Sequence, residues 1–147
     1  MEGVETKPQV TITGVSGYLG SQVAKAFLED GNFKVRGTVR DLENKNKIDP
    51  LRAGLGELFG QMELVKADLL DEASIIAACA GSTYVVHTAS PFDFKMKEEK
   101  IINVARDGSL AVMNACTQAG VKRCVVTSSV AAITAMAEDS KQRPAAD

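Results

Sequence analysis

The sequence predicts an α/β fold in which a doubly wound parallel sheet of about five strands carries helices on both faces. Short segments rich in valine and isoleucine alternate with longer amphipathic segments along the 147 residues. Such alternation is typical of strand–helix–strand units with right-handed crossovers and a parallel sheet. Several of the apolar segments are nearly continuous, as expected for strands that are buried on both faces.

The order of the elements follows from local signals. Strands are predicted where short runs are dominated by β-branched and other apolar residues, at residues 10–13, 34–40, 62–66, 83–87 and 123–127. Helices are predicted where apolar residues recur at helical spacing, at residues 18–30, 49–59, 71–80 and 97–119. Three of the helices are expected to end at a glycine, which tolerates the left-handed conformation of a helix end: Gly31, Gly81 and Gly120.

Two of the helix starts carry capping signals. Asp49 is predicted to cap the second helix, with Pro50 in its first turn, where a missing N–H group is harmless. Asp71 is predicted to cap the third helix. The long fourth helix is expected to be loosened near Gly108, because glycine weakens a helix interior by about 1 kcal/mol.

The composition excludes several classes of function. A formal net charge of −2 offers no concentrated basic face, so nucleic acid is not an expected partner. We expect a cytoplasmic protein without a membrane segment, since no signal peptide or sufficiently long apolar run is visible. The three cysteines form no C-x-x-C pair, which predicts buried reduced thiols rather than a metal site or disulfides: Cys79, Cys116 and Cys124.

Three glycines at a spacing of three residues follow the first predicted strand. Residues 13–20 read Thr-Gly-Val-Ser-Gly-Tyr-Leu-Gly and lead into a helix. Such a turn directs backbone N–H groups and the positive end of a helix dipole at one point, where a diphosphate fits. Gly14 permits a tight turn, Gly17 a close approach of the phosphate, and Gly20 close packing of the helix on the strand. A purely structural turn is the alternative, because the spacing differs from G-x-G-x-x-G.

Further short strings stand at or near the ends of the other predicted strands, and one stands inside the fourth predicted helix. Together with the glycine turn they lie at residues 13–20, 35–41, 67–69, 86–92, 107–109 and 121–129. In this order they resemble the extended short-chain dehydrogenase/reductase family. The most similar group is that of the dihydroflavonol, anthocyanidin and cinnamoyl-CoA reductases, with their fungal ketone and aldehyde reductase relatives. The resemblance covers about residues 9–133 and implies a Rossmann-type fold.

The resemblance implies that the chain binds NADP(H). Arg40 follows the second strand where NAD-binding domains usually carry a carboxylate, and a guanidinium there can pair with a 2′-phosphate. Lys47 matches a second phosphate-binding cation, although both residues could be solvated surface charges, and Asp41 keeps NAD(H) open. Asp68 is expected to accept from the adenine amine, or else to cap a turn. The residues expected to bind the cofactor are Gly14, Ser16, Gly17, Tyr18, Leu19, Gly20, Arg40, Lys47, Asp68, Leu69, Thr88, Ala89 and Ser90.

The resemblance also assigns one catalytic residue. In this family a serine just past the fifth strand donates a hydrogen bond to the substrate carbonyl oxygen, which gains negative charge as hydride arrives. The register places Ser129 in this role, with Ser128 as the alternative, unless both hydroxyls only satisfy backbone groups. The single histidine, His87, is expected to be a structural hydrogen-bonding residue rather than a base.

The tyrosine and lysine of the family's Y-x-x-x-K motif do not occur in these 147 residues, since neither Tyr18 nor Tyr84 is followed by a lysine at that spacing. We therefore expect this chain to be the N-terminal half of an NADP-dependent reductase and to be inactive alone. Its small carbonyl substrate would bind in a lobe that these residues do not include. Its dinucleotide-binding domain would span residues 1–137, followed by a loose polar tail at 138–147. The uncovered edge of its sheet is expected to promote oligomerisation.

Two other functions remain open at this point. A sugar-nucleotide epimerase or dehydratase of the same superfamily would share the fold and the glycine turn but would more naturally use NAD. A non-catalytic dinucleotide-binding protein that acts through a partner would account for the missing tyrosine and lysine. Nucleotide preference distinguishes the first alternative, and co-purification with a full-length homologue would support the second.

Overall fold

The structure is a computed structural model that describes residues 6–91 and 97–130. Within these ranges the strands are β1 (Gln9–Thr13), β2 (Lys34–Val39), β3 (Met62–Lys66), β4 (Tyr84–His87) and β5 (Arg123–Val126). The helices are α1 (Tyr18–Asp30), α2 (Lys45–Leu55), α3 (Glu72–Cys79) and α4 (Glu98–Gln118), with a 3₁₀ helix at Gly56–Gln61. The predicted tail at 138–147 and Phe92, which belongs to one of the matched strings, lie outside the described residues.

The described strands form one sheet in the order β3-β2-β1-β4-β5, and every adjacent pair is parallel. The chain therefore winds in one direction from β1 to β3 and in the other direction from β4 to β5. Because the strands are parallel, their carboxyl ends meet at one edge of the sheet, where ligands of such sheets bind. The predicted doubly wound α/β fold is confirmed.

The apolar core lies in two layers, one on each face of the sheet. Helices α1 and α2 cover one face, where Ile12 and Leu51 belong to one cluster of buried side chains. Helices α3 and α4 cover the other face, where Ile75 and Val112 belong to a second cluster. Strand β5 is less buried than its nearly continuous apolar run predicts. At the uncovered edge of the described sheet, Val125 is 52% exposed and Val126 is 44% exposed.

The predicted start of the second helix at Asp49 is wrong. Helix α2 begins at Lys45, after Asn44, and Pro50 lies inside it. The backbone N–H groups of Lys47 and Ile48 both donate to the carbonyl of Asn44, at 2.9 and 3.0 Å, so a hydrogen-bonded turn already precedes the proline. The helix also ends earlier than predicted, at Leu55, and the chain continues to Gln61 as the 3₁₀ helix.

The expected loosening of the fourth helix near Gly108 is wrong as well. Helix α4 continues without interruption from Glu98 to Gln118. Gly108 is buried, and a Cβ atom at this position would lie 2.8 Å from the Cβ of Leu69. The glycine therefore allows the helix to approach the loop after β3, which is a packing requirement that the local sequence does not reveal.

Candidate dinucleotide-binding site

A cleft of about 470 Å³ lies at the carboxyl edge of the sheet, where β1, β2 and β4 end. Ten of the thirteen residues predicted to bind a cofactor line it: Gly14, Ser16, Gly17, Arg40, Lys47, Asp68, Leu69, Thr88, Ala89 and Ser90. The sequence places these residues in four separate segments. The parallel sheet brings them together because each segment follows a strand that ends at the same edge.

The glycine turn is held against the neighbouring strand by hydrogen bonds. Gly14 has a φ angle of +69°, which a glycine adopts without strain. Its N–H group donates to the hydroxyl of Thr38 at 3.2 Å, and the N–H group of Val15 donates to the carbonyl of Thr38 at 3.1 Å. The N–H group of Gly17 donates back to the carbonyl of Gly14 at 3.0 Å. The shape of the turn is therefore fixed without a ligand.

The turn leaves four backbone donors available. Within residues 6–91 and 97–130, the N–H groups of Ser16, Tyr18, Leu19 and Gly20 donate no hydrogen bond. Gly17 precedes helix α1 and has no side chain that could cap it. A diphosphate would accept from these donors and would lie at the positive end of the helix dipole.

The three remaining predicted residues lie at the start of helix α1. Tyr18, Leu19 and Gly20 do not line the cleft, and the side chain of Tyr18 is 92% exposed. As the first three residues of α1, they present backbone N–H groups at the helix start. Gly20 also packs closely on the hydroxyl of Thr88, where a Cβ atom would overlap.

The segment after β4 forms the opposite wall and is joined to β1 at Thr13. The hydroxyl of Thr88 donates to the carbonyl of Thr13 at 2.6 Å, and the N–H group of Ala89 donates to the hydroxyl of Thr13 at 3.2 Å. A Cβ atom at Gly14 would lie 2.8 Å from the Cα of Ala89. The two walls of the cleft are therefore in direct contact at its base.

A second cavity of about 270 Å³ adjoins the cleft near the end of β2 and is lined by Ser16, Val39, Arg40, Asp41, Asn44 and Lys47. Arg40 and Lys47 are exposed cations that line both cavities. The carboxylate of Asp41 accepts a hydrogen bond from the backbone N–H of Glu43 at 2.9 Å. One carboxylate oxygen of Asp41 is thus used in a local turn, while the two cations line a space suited to an anion.

Asp68 caps a turn, and it also lies where the adenine contact predicted from the sequence would be made. Its carboxylate oxygen Oδ1 accepts from the N–H of Leu70 at 3.0 Å, which is the turn-capping role. The residue also lines the cleft together with Leu69, at the end where an adenine would lie if the pyrophosphate occupied the glycine turn. The close contact of Leu69 with Gly108 fixes the position of this wall.

His87, at the end of β4, is buried and hydrogen-bonded on both ring nitrogens. Nδ1 lies 2.7 Å from the hydroxyl of Thr13, and Nε2 lies 3.4 Å from the hydroxyl of Ser109. Burial lowers the pKa of His87 below its ordinary value, so the ring is neutral at pH 7. These contacts agree with the structural role expected from the sequence.

Ser129 lies in the segment after β5, at the same edge of the sheet as the cleft. The N–H group of Thr127 donates to the carbonyl of His87 at 3.0 Å, which holds the start of this segment beside β4. Ser128 and Ser129 are exposed and do not line the 470 Å³ cleft formed by the described residues.

Several residues of the site were missed by sequence reasoning. Thr13 and Thr38 fix the turn and line the cleft, and Val104 of α4 and Pro91 close its sides. Both threonines lie at or near the carboxyl end of a predicted strand, and this position could have indicated them as residues of the site. The contribution of Val104 depends on how α4 packs, and no local pattern indicates it.

The cysteines come together in the second core cluster. Cys79 and Cys116 are buried, Cys124 is half-buried, and all three are free thiols. Burial, together with the neighbouring Cys124, raises the pKa of Cys116 to about 12, and burial raises the pKa of Cys79. Protonated thiols packed in a core have little nucleophilic reactivity, as the sequence predicted.

Within the described residues, none of the helices has the length and apolar character needed to cross a membrane. In the same ranges, no group of three or more histidine, cysteine or acidic side chains is arranged to hold a metal ion.

The parallel sheet with helices on both faces and the glycine turn between β1 and α1 define a Rossmann-type α/β fold. The family model of the 3-beta hydroxysteroid dehydrogenase/isomerase family matches residues 11–143. The chain belongs to this family of extended short-chain dehydrogenases/reductases, as its matched strings predicted.

Several proteins that are similar to this chain are reductases. Dihydroflavonol 4-reductase of Zea mays is 38% identical over 148 residues, 99% of this chain and 40% of that protein. Anthocyanidin reductase of Vitis vinifera is 40% identical over 131 residues, 87% of this chain and 38% of that protein. The crystal structure of vestitone reductase from alfalfa, Medicago sativa, has a TM-score of 0.66 at 33% identity, covering 84% of this chain and 37% of that one. The chain thus spans about two fifths of the length of these relatives.

Proposed function

We propose that this chain is the NADP(H)-binding part of a reductase that acts on a carbonyl group of a flavonoid-like or cinnamoyl-like substrate. The observation that carries the proposal is the pair of cations, Arg40 and Lys47, which share a cavity next to the glycine turn while Asp41 is held in a local turn. Two cations around one cavity favour a 2′-phosphate over a free ribose hydroxyl. The substrate class is inferred from the names of the relatives.

Different residues of the chain would bind different parts of the cofactor. The N–H groups at the start of α1 would hold the pyrophosphate, Arg40 and Lys47 the 2′-phosphate, and Asp68 and Leu69 would lie against the adenine. When bound, NADPH supplies the hydride. The hydroxyl of Ser129 would donate to the substrate oxygen as negative charge develops on it. Because these residues contain no Y-x-x-x-K motif, we infer binding without turnover by this stretch alone.

The charge of Arg40 tests the cofactor assignment. We expect wild type to bind NADPH at least tenfold more tightly than NADH, and Arg40→Gln to lose roughly tenfold of its NADPH affinity with little change for NADH, since a charge-assisted hydrogen bond contributes about 1.5–3 kcal/mol. Isothermal titration calorimetry with both nucleotides measures this ratio. Lys34→Gln is the matched control, because Lys34 is an exposed cation at the opposite end of the same strand.

The outcomes separate the alternatives. Equal or reversed preference in wild type would contradict an NADP(H) site and favour an NAD-dependent epimerase or dehydratase. An equal loss in Arg40→Gln and Lys34→Gln would show a general charge effect rather than a phosphate contact. Oxidation of NADPH by this chain in the presence of aromatic aldehydes or flavonoid-like ketones would contradict the inferred lack of turnover.

A further inference from the structure

A buried chain of hydrogen bonds connects helix α4 to the glycine turn. It runs from the hydroxyl of Ser109 to Nε2 of His87 at 3.4 Å, and from Nδ1 of His87 to the hydroxyl of Thr13 at 2.7 Å. The same hydroxyl accepts the N–H of Ala89 at 3.2 Å, and Ala89 is in contact with Gly14. His87 is only 3% exposed and Thr13 only 1%, so water does not compete for these contacts.

The number of available protons determines how this chain of hydrogen bonds can be arranged. The oxygen of Thr13 already accepts from Ala89, so its own proton is available for Nδ1 of His87. A neutral ring with its proton on Nε2 then accepts from Thr13 and donates to Ser109, and every polar atom has a partner. A doubly protonated ring would donate from Nδ1, and the hydroxyl proton of Thr13 would lose its acceptor in a buried place.

Among the residues that the structure describes, the hydrogen-bonding groups that face the ring are uncharged. They are the hydroxyl of Thr13 from β1 and the hydroxyl of Ser109 from α4, while the N–H of Thr127, just after β5, donates to the backbone carbonyl of His87. The charged residues next to Ser109, Arg106 and Asp107, are exposed and form an ion pair with each other at 2.7 Å. Burial is the cause that lowers the pKa of His87.

We propose that neutral His87 is a positioning residue for the dinucleotide site: it orients the hydroxyl of Thr13, which holds Ala89 against Gly14 and so keeps the phosphate turn and its opposite wall in register. Protonation of the ring weakens this connection and with it the binding of the nucleotide. The inference rests on the proposed dinucleotide-binding function. Because binding requires the neutral form, affinity is complete above the pKa of His87, which burial lowers below its ordinary value, and declines as the pH falls through it.

The experiment compares wild type with His87→Asn in the 147-residue chain. Asparagine can place an acceptor near the position of Nδ1 but does not titrate in this range. Calorimetric titration with NADP⁺, which is stable in mild acid, is carried out between pH 7.5 and pH 5. Protonation of the 2′-phosphate, near pH 6, weakens binding to both proteins equally. We expect similar affinities at pH 7.5 and, toward the acidic end, a greater loss of affinity for wild type than for His87→Asn.

Two threonine variants provide the matched controls. Thr13→Ser keeps the hydroxyl and is expected to retain the wild-type pH profile. Thr13→Val removes the hydroxyl and is expected to weaken binding at every pH, with a flatter profile. Thermal unfolding of each variant at each pH establishes that the loss of affinity occurs in folded protein.

A second measurement follows the hydrogen bond of the Ala89 amide as the pH changes, with no nucleotide present. The NMR shift of the Ala89 amide is expected to follow the titration of His87 in wild type and to stay constant in His87→Asn. Identical pH profiles of NADP⁺ affinity in the two proteins would overturn the positioning role while leaving the proposed function intact. If the Ala89 amide responds but neither protein binds NADP⁺ or NAD⁺, the proposed function fails and the positioning role fails with it.

Discussion

Replacement of Gly14 by alanine is expected to weaken NADP(H) binding by roughly 100-fold and to lower the free energy of unfolding by about 2–4 kcal/mol. Two costs combine at this position. The φ angle of +69° is unfavourable for any residue with a Cβ atom, by about 1–2 kcal/mol. The new Cβ would also lie 2.8 Å from the Cα of Ala89, which is backbone and cannot rotate away.

Gly31 provides a control that separates the two costs. It closes helix α1 at a φ angle of +72°, and a Cβ atom there would meet nothing within 4 Å. Gly31→Ala should therefore lower the free energy of unfolding by only about 1–2 kcal/mol and leave nucleotide affinity unchanged. Urea unfolding and calorimetric titration measure both quantities. Equal effects of the two variants would show that the contact between Gly14 and Ala89 does not matter.

The second large effect is expected at Gly108, where alanine should destabilise the fold although it is the better helix former. A glycine-to-alanine change inside a helix normally stabilises by about 1 kcal/mol. At Gly108 the new methyl group would lie 2.8 Å from the Cβ of Leu69, and overpacking of this kind costs about 1–3 kcal/mol. Because Leu69 lines the cleft, NADP(H) affinity should fall as well.

Gly54→Ala is the matched variant for this prediction. Gly54 lies in α2, and a Cβ atom there would meet nothing within 4 Å. It should raise the free energy of unfolding by about 0.5–1 kcal/mol and leave affinity unchanged. If both alanine variants were stabilised to the same extent, the close packing of α4 on the loop after β3 would be contradicted.

Most of the strand framework was predictable because its signals are local. A short apolar run predicts a buried strand, whichever position that strand takes in the parallel sheet. The glycine turn predicts the junction of β1 and α1. The sheet then determines which segments meet, and ten of the predicted cofactor-binding residues consequently share one cleft. Alternation of strands and helices thus predicted the location of the site without knowledge of any side-chain contact.

The errors have a different physical origin. The sequence predicts the start of α2 at Asp49, because aspartate followed by Pro50 is the stronger local signal. The first turn forms instead at the carbonyl of Asn44, although asparagine also favours helix starts. The sequence predicts that Gly108 weakens α4, but the role of this glycine depends on Leu69, which is 39 positions away in the sequence. Contacts over such separations are set by packing and leave no pattern in the segment itself.

Within the site, too, some features follow from local sequence signals and others depend on contacts that the sequence does not reveal. Arg40 was predicted from its place at the end of β2, and the structure shows it at a cavity that it shares with Lys47. The use of the Asp41 carboxylate in a bond to the Glu43 N–H could not be foreseen, because a carboxylate after a strand has several equivalent partners. The role of Thr13 depends on three partners, which come from β4 and the segment after it.

A crystal structure of the chain grown with saturating NADP⁺ tests the central claim most directly. We expect pyrophosphate oxygens within about 3.2 Å of the N–H groups of Ser16, Tyr18 and Leu19, and the 2′-phosphate between Arg40 and Lys47. A glycine turn that stays empty at saturating NADP⁺ and NAD⁺, or a nucleotide bound elsewhere on the chain, would contradict it.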